Sequence, residues 1–367
     1  MKKKSAIILF TLIFFISFSV FSDNMRSDGS QESWRVLKKA QQEFDLNNYA
    51  MSMKLAQDSI YNKKKEIQYA DNILQSALNP YQVRKAGDYI EDVLKILDER
   101  QEYEAYSIIK RITEQKGIEF FKGSISKLTE YLKKRVNYPE AFFLIARIYK
   151  LEGEYSIALY YLEKARKSAD LLEVPSQQAD ILYEMADIAE FLDDTVMQEK
   201  PLLLIANSDG KFNDSTLKNA LLRTSKSEKE DNSSRFFSLY RIDAVNTIRA
   251  YFKLSSLYAE NKKYQDSYLT NLYGVLISFT HINSILEERD SDYSYKSLES
   301  FFSKLSLYPD IMKWCNDIGF WKGFYDIYEL GRKNNFARFP NDILNNLARF
   351  CPEGYWQKAA EQKLNEK

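Results

Sequence analysis

The sequence predicts an all-α protein, an irregular α-solenoid of antiparallel helical hairpins. Three observations carry that reading. Helix breakers are scarce, with 11 glycines and 7 prolines in 367 residues, so long helices are favoured over a turn-rich β protein. Apolar residues recur at helical steps of three and four. Small residues interrupt those stripes at fixed offsets, and the same offsets return in distant parts of the chain.

The clearest hairpin lies at 138–165, YPEAFFLIARIYKLEGEYSIALYYLEKA. Tyr138-Pro139 opens a helix, with proline in the first turn, where its missing N–H costs nothing. Phe142, Ile145, Ala146 and Tyr149 follow helical spacing. Gly153 then supplies a left-handed stop, and a second stripe runs through Ile157, Ala158, Tyr161, Leu162 and Ala165. Two helices joined by so short a turn pack antiparallel. Ala146 and Ala158 are placed where the helices cross, because only a small side chain lets the axes approach. Tyr149 and Tyr155 fill the wider ends of the wedge.

Equivalent offsets appear in 251–274. Tyr251, Leu254, Ser255 and Tyr258 mark a first helix, and Tyr264, Ser267 and Gly274 a second. Val36, Ala40, Tyr49, Ser52 and Ser59 keep the same intervals near the N-terminus. Leu182, Met185, Ala186 and Ala189 match a first helix, but Gln198 and Ile205 stand where its partner should be small. Weaker hairpins are expected at 89–115 and 308–332, the latter turning at Asp317-Ile318-Gly319.

This spacing resembles the tetratricopeptide repeat (TPR) family: large, aliphatic, small and aromatic on the first helix, then small, large and small on the second. Phe142, Ile145, Ala146 and Tyr149 followed by Ala158, Leu162 and Ala165 match it, although the proline that closes the family's repeat is missing. Tyr155 and Thr195, and likewise Tyr49 and Tyr103, lie farther apart than the family's repeat of about 34 residues. Extra helical segments are therefore expected around Glu66–Leu78 and Ile125–Lys134, which makes the solenoid irregular.

Lys2-Lys3-Lys4, the uncharged stretch 6–21 and a small residue at Ser22 read as a signal peptide over 1–22. The expected protein is exported and periplasmic, bacterial in type, with no membrane span after cleavage. An inner-membrane anchor through uncleaved residues 6–21 is the alternative. Residues 23–32 read as a mobile leader. The polar run 225–234 holds no apolar residue and is expected to be a linker or loop. It would separate TPR-like repeats at 33–224 from a C-terminal helical region at 235–367, which contains one clear unit at 247–275 and an aromatic-rich end. Cys315 and Cys351 have two readings: a disulfide, which an oxidising compartment permits, or two buried thiols.

The charge balance, 52 basic against 52 acidic residues, provides no footprint for nucleic acid. The single histidine, His281, rules out a multi-histidine zinc site and has no nucleophile motif near it. No Walker loop, GxSxG, GxGxxG or CxxC occurs. No cofactor, metal or catalytic residue is expected, and the chain is not read as an enzyme. Trp321, Phe324, Tyr325 and Tyr328 recur at helical spacing and are read as core rather than as a sugar platform.

Stacked hairpins make concave surfaces. The resemblance implies a non-catalytic scaffold that binds a protein or peptide partner of the cell envelope in a groove lined by the first helix of each repeat. Carried onto this sequence, the groove residues are Phe143, Arg147, Lys150, Tyr183, Asp187, Glu190, Phe252 and Ser256. The alternatives are a periplasmic transporter accessory subunit with a closed pocket for a small hydrophobic ligand, and an envelope glycan-acting enzyme with two facing carboxylates.

Overall fold

The computed structural model describes residues 32–77, 90–121, 125–208, 210, 212–226 and 232–366. The expected signal peptide, most of the leader, and residues 227–231 of the polar run lie outside them. The chain is all-α, and no strand occurs among the described residues. It divides into two compact units, one ending at Glu173 and the other beginning at Val174.

The first unit is a series of antiparallel hairpins. Helix α1 (Ser33–Asp45) turns at Asn47, whose φ is 61°, into α2 (Tyr49–Ala77). Ser52 Oγ donates to the Ala40 carbonyl at 2.8 Å, so the small positions of this hairpin are joined across the crossing. The helical segment expected as a separate element around 66–78 is instead the second half of α2. No breaker separates Tyr49 from Ala77, and one 29-residue helix serves two layers. Its first half packs with α1 and with α7 (Pro139–Leu151). Its second half packs with α4 (Tyr103–Lys116) and α6 (Ile125–Lys134). Helix α3 (Ile90–Glu99) pairs with α4, as expected for 89–115, and α5 (Ile118–Phe121) is a single turn.

The opening hairpin of the sequence is present as α7 and α8 (Tyr155–Lys167). Pro139 stands at the start of α7, and Gly153 has φ 81°, a conformation a side chain would strain. Ala146, Ala158 and Ala165 are all at most 1% exposed.

The second unit begins with α9 (Gln177–Phe191) and α10 (Thr195–Ala206), joined at Asp193 with φ 55°. Asp194 caps α10 by accepting from the Met197 N–H at 2.8 Å. Then follow α11 (Ser215–Ser225) and α12 (Asn232–Leu239). The polar run 225–234 is thus not where the chain divides. Leu221 before it and Phe236 and Phe237 after it belong to one core, and the Ser233 N–H donates to Asp342.

Helices α13 (Ile248–Glu260) and α14 (Tyr264–Arg289) are the hairpin expected at 247–275, but α14 continues well past Gly274. It is the hub of the unit, buried on nearly every side from Ser267 to Asn283. Its hydroxyls are satisfied by its own backbone: Ser278 donates to Gly274 and Thr280 to Leu276. The sheath includes α15 (Leu298–Leu305), α16 (Pro309–Ile318), α17 (Phe320–Lys333), α18 (Arg338–Phe350) and α19 (Gly354–Asn365). Gly319, at φ 77°, makes the turn between α16 and α17. The aromatic stretch is core, as expected: Phe320, Trp321, Phe324, Tyr328, Phe336 and Phe339 are buried in the same cluster.

Candidate functional site

One cavity of about 620 Å³ lies within the second unit, between α9, α10, α13 and α16. Of the eight groove residues expected from sequence, Tyr183, Glu190, Phe252 and Ser256 line it. Asp187 stands behind the wall and fixes its charged members. It accepts from the Arg249 guanidinium at 2.6 Å and from Lys253 Nζ at 3.1 Å, and Lys253 also pairs with Glu190. Burial works to raise the Asp187 pKa, but Lys253 and Arg249 outweigh it and hold the carboxyl below its usual value.

Tyr183 locks the wall to the start of α13. Its hydroxyl donates to the Asn246 carbonyl at 3.0 Å and accepts from the Ala250 N–H at 3.1 Å. Burial pushes its pKa up to about 12, so it remains a neutral hydroxyl at ordinary pH. The Arg249 guanidinium lies 4.6 Å from the ring centre of Tyr183, so this ring already carries a cation.

Phe252 is positioned by absent side chains. A Cβ on Gly274 or Gly323 would come within 2.8 Å of its ring, so α14 and α17 leave the space the ring needs. Trp314, half-buried on α16, lines another side of the cavity and has His281 5.1 Å from it, ring centre to ring centre. Burial lowers the His281 pKa, with Asp243 opposing, so the ring is neutral at pH 7.

The remaining three expected residues lie on α7 of the first unit and do not line this cavity. Arg147 has its guanidinium 4.3 Å from the Phe44 ring centre and 5.9 Å from that of Phe143, and Phe143, Arg147 and Lys150 are all half-buried. The resemblance assigned groove positions by helix, and a helix position alone does not say which first helices share a wall.

Sequence reasoning missed Thr195, Gln198, Arg249, Lys253 and Trp314 as lining residues. Gln198 carried a signal. It takes the small position of its hairpin, three residues after Thr195 as Ala158 is after Tyr155, and it faces the cavity. The departure from the repeat pattern therefore marks the cavity wall.

Cys315 and Cys351 are free thiols, both buried, and burial pushes each up to about 12. They behave here as small core residues. Among the described residues no cluster of His, Cys, Asp or Glu could hold a metal ion. No helix among them is long and apolar enough to cross a membrane.

No family model matches the chain. An uncharacterized protein of Treponema pallidum is 27% identical over 349 residues, spanning 94% of this chain and 92% of its own length. An uncharacterized protein of Borreliella burgdorferi is 25% identical over 223 residues, spanning 56% of this chain and 69% of its own length.

Proposed function

We propose that this protein is an exported, periplasmic TPR-like scaffold that binds a protein or peptide partner and catalyses nothing. The observation that carries this reading is the clustering of Tyr183, Glu190, Phe252 and Ser256 around one cavity. All four occupy first-helix groove positions of the repeat pattern, and Asp187 anchors the bases beside them. The lining mixes ring faces with charged groups, only some of which are paired, a surface suited to an extended peptide. A small hydrophobic ligand would favour an apolar enclosure, and Arg249, Lys253 and Glu190 in the wall argue against that use.

The test is affinity capture from envelope extract with the wild-type chain and with Ser256→Arg. Ser256 is exposed in the cavity wall, so the added bulk should not disturb the core. A polypeptide that the wild type retains and Ser256→Arg loses supports the groove; identical partners for both would remove it.

A further inference from the structure

We infer that the cavity of the second unit seats a cationic side chain, arginine or lysine, of an extended partner peptide. This rests on the groove reading above and adds its chemistry. Four carboxylates line the cavity, those of Glu190, Asp193, Glu260 and Asp317, against two bases, Arg249 and Lys253. Both bases are already engaged, by Asp187 and Glu190. Asp193 and Glu260 form no ion pair among the described residues. Asp317 pairs only with Lys313, one turn earlier on an exposed helix face, where such a pair contributes little. The lining therefore holds uncompensated negative charge.

Glu190 lies in the last turn of α9 and Asp193 just beyond it, Glu260 ends α13, and Asp317 lies in the last turn of α16. The cavity also meets the start of α10 at Thr195 and the start of α13 at Ile248, so helix dipoles of both signs reach it and the charge preference rests on the carboxylates themselves.

Two further observations point to what would fill the site. Gln198 is nine-tenths buried and faces the cavity, yet its side-chain amide has no hydrogen-bond partner among the described residues. An amide oxygen there is an acceptor waiting for an N–H donor. Trp314 and Phe252 also line the cavity, and unlike Tyr183 neither ring carries a cation among the described residues. A guanidinium or alkylammonium satisfies every one of these groups: carboxylates, amide oxygen and ring faces. The cavity is larger than one such side chain. Its remaining volume leaves room for the residues on either side of that side chain, which favours a peptide over a free amine.

The test uses the full chain and a fluorescein-labelled hexapeptide, Ala-Leu-Thr-Arg-Thr-Leu, read by anisotropy. Versions with lysine, citrulline or glutamate replace the arginine; citrulline keeps the shape and removes the charge. The arginine and lysine peptides should bind at least about tenfold tighter than the citrulline and glutamate ones. Asp193→Asn/Glu260→Gln should cut arginine-peptide binding about fivefold to tenfold and leave the citrulline peptide unchanged. Both residues are exposed, so these changes spare the core. Raising salt should weaken the wild-type complex with the arginine peptide and not that with citrulline.

Equal binding of the arginine and citrulline peptides overturns the cation and leaves the groove standing, provided Ser256→Arg still blocks both. No peptide binding at all, with Ser256→Arg still losing its captured partner, has the same meaning. No peptide binding together with full capture by Ser256→Arg sinks both readings. Agmatine binding more tightly than any peptide would assign the site to a free organic cation and overturn the peptide.

Discussion

Ala146 and Ala158 are buried in the first-unit hairpin as bare methyl groups, whereas Ser255 and Ser267, at the same offsets in the second unit, bond to each other's backbone. Ser267 Oγ donates to the Ser255 carbonyl at 2.7 Å and Ser255 Oγ to the Ser267 carbonyl at 3.0 Å. The second helices differ as well. Helix α8 ends at Lys167 and leaves Ile157 and Tyr160 exposed, while α14 runs on to Arg289 inside the core. The same spacing therefore specifies a hairpin without specifying its place. An alanine crossing is held by shape alone; a serine crossing adds directional bonds that fix how far one helix slides along the other.

The largest effect should come from filling a crossing. Ser267→Leu adds volume to a fully buried site and removes the bond its hydroxyl donates to the Ser255 carbonyl, for a loss of about 4 kcal/mol. Ala158→Leu adds volume only and should lose about 3 kcal/mol. Denaturant unfolding of the two variants measures the gap. Equal losses would mean that the serine bonds contribute nothing beyond space.

The cores differ in charge too. The first unit buries Lys63, Glu66 and Arg135, while the second unit's buried polar residues are mainly serine, threonine and asparagine. Glu66 accepts from the Ser33 N–H at 2.7 Å and its hydroxyl at 2.8 Å, which caps α1, and Arg135 donates to Gln115 and to the Leu171 carbonyl. Among the described residues Lys63 makes no hydrogen bond or close ion pair; its Nζ lies 5.1 Å from the Tyr138 ring centre, and Glu66 and Glu173 favour its charge only from a distance. Burial, then Arg135, lowers its pKa from 10.5 to about 8. The folded chain therefore gives up this proton before the unfolded chain does. The cost of burying the charge is full below pH 8 and is relieved as pH rises from 8 toward 10.5. Lys63→Met should be more stable than wild type by about 1–2 kcal/mol at pH 7. That advantage should shrink at pH 9.5, as read by urea unfolding at both pH values. An advantage that grows with pH would contradict the assignment.

A smaller effect joins packing to the cavity. Gly274→Ala puts a methyl group within 2.8 Å of the Phe252 ring, which must shift within the cavity wall. The expected loss is about 1 kcal/mol of stability, with a larger proportional loss of peptide affinity. If affinity is unchanged, Phe252 is not part of the binding surface.

Much of the fold was legible because it depends on local spacing. Gly153 and Gly319 both mark turns with positive φ, and the alanines of 138–165 and the serines of 251–274 sit where the offsets placed them. The length of α14 was not legible: Val275 to Leu286 continue a helix with little amphipathic contrast, and only tertiary packing decides how far it runs. The division of the chain was misplaced for a related reason. Polar composition at 225–234 reports solvation of that run, not whether Leu221 and Phe236 share a core. Within the site, Tyr183 and Phe252 could be found from helix position, whereas Arg249, Lys253 and Trp314 come together only through the packing of α13 and α16. Gln198 could have been found, because a long polar side chain at a crossing position is a departure that asks for a reason.

The central claim, that the second unit's cavity holds a partner polypeptide, is tested most directly by a photo-crosslinking amino acid placed at Ser256 in the chain expressed in its native cells. Lys358, exposed on α19 of the same unit and outside the cavity lining, is the control. The account predicts a discrete crosslinked species from position 256, absent from position 358 and reduced when Asp193→Asn/Glu260→Gln is introduced. Identical crosslinking from both positions, or none from 256 while the partner is still captured, would contradict it.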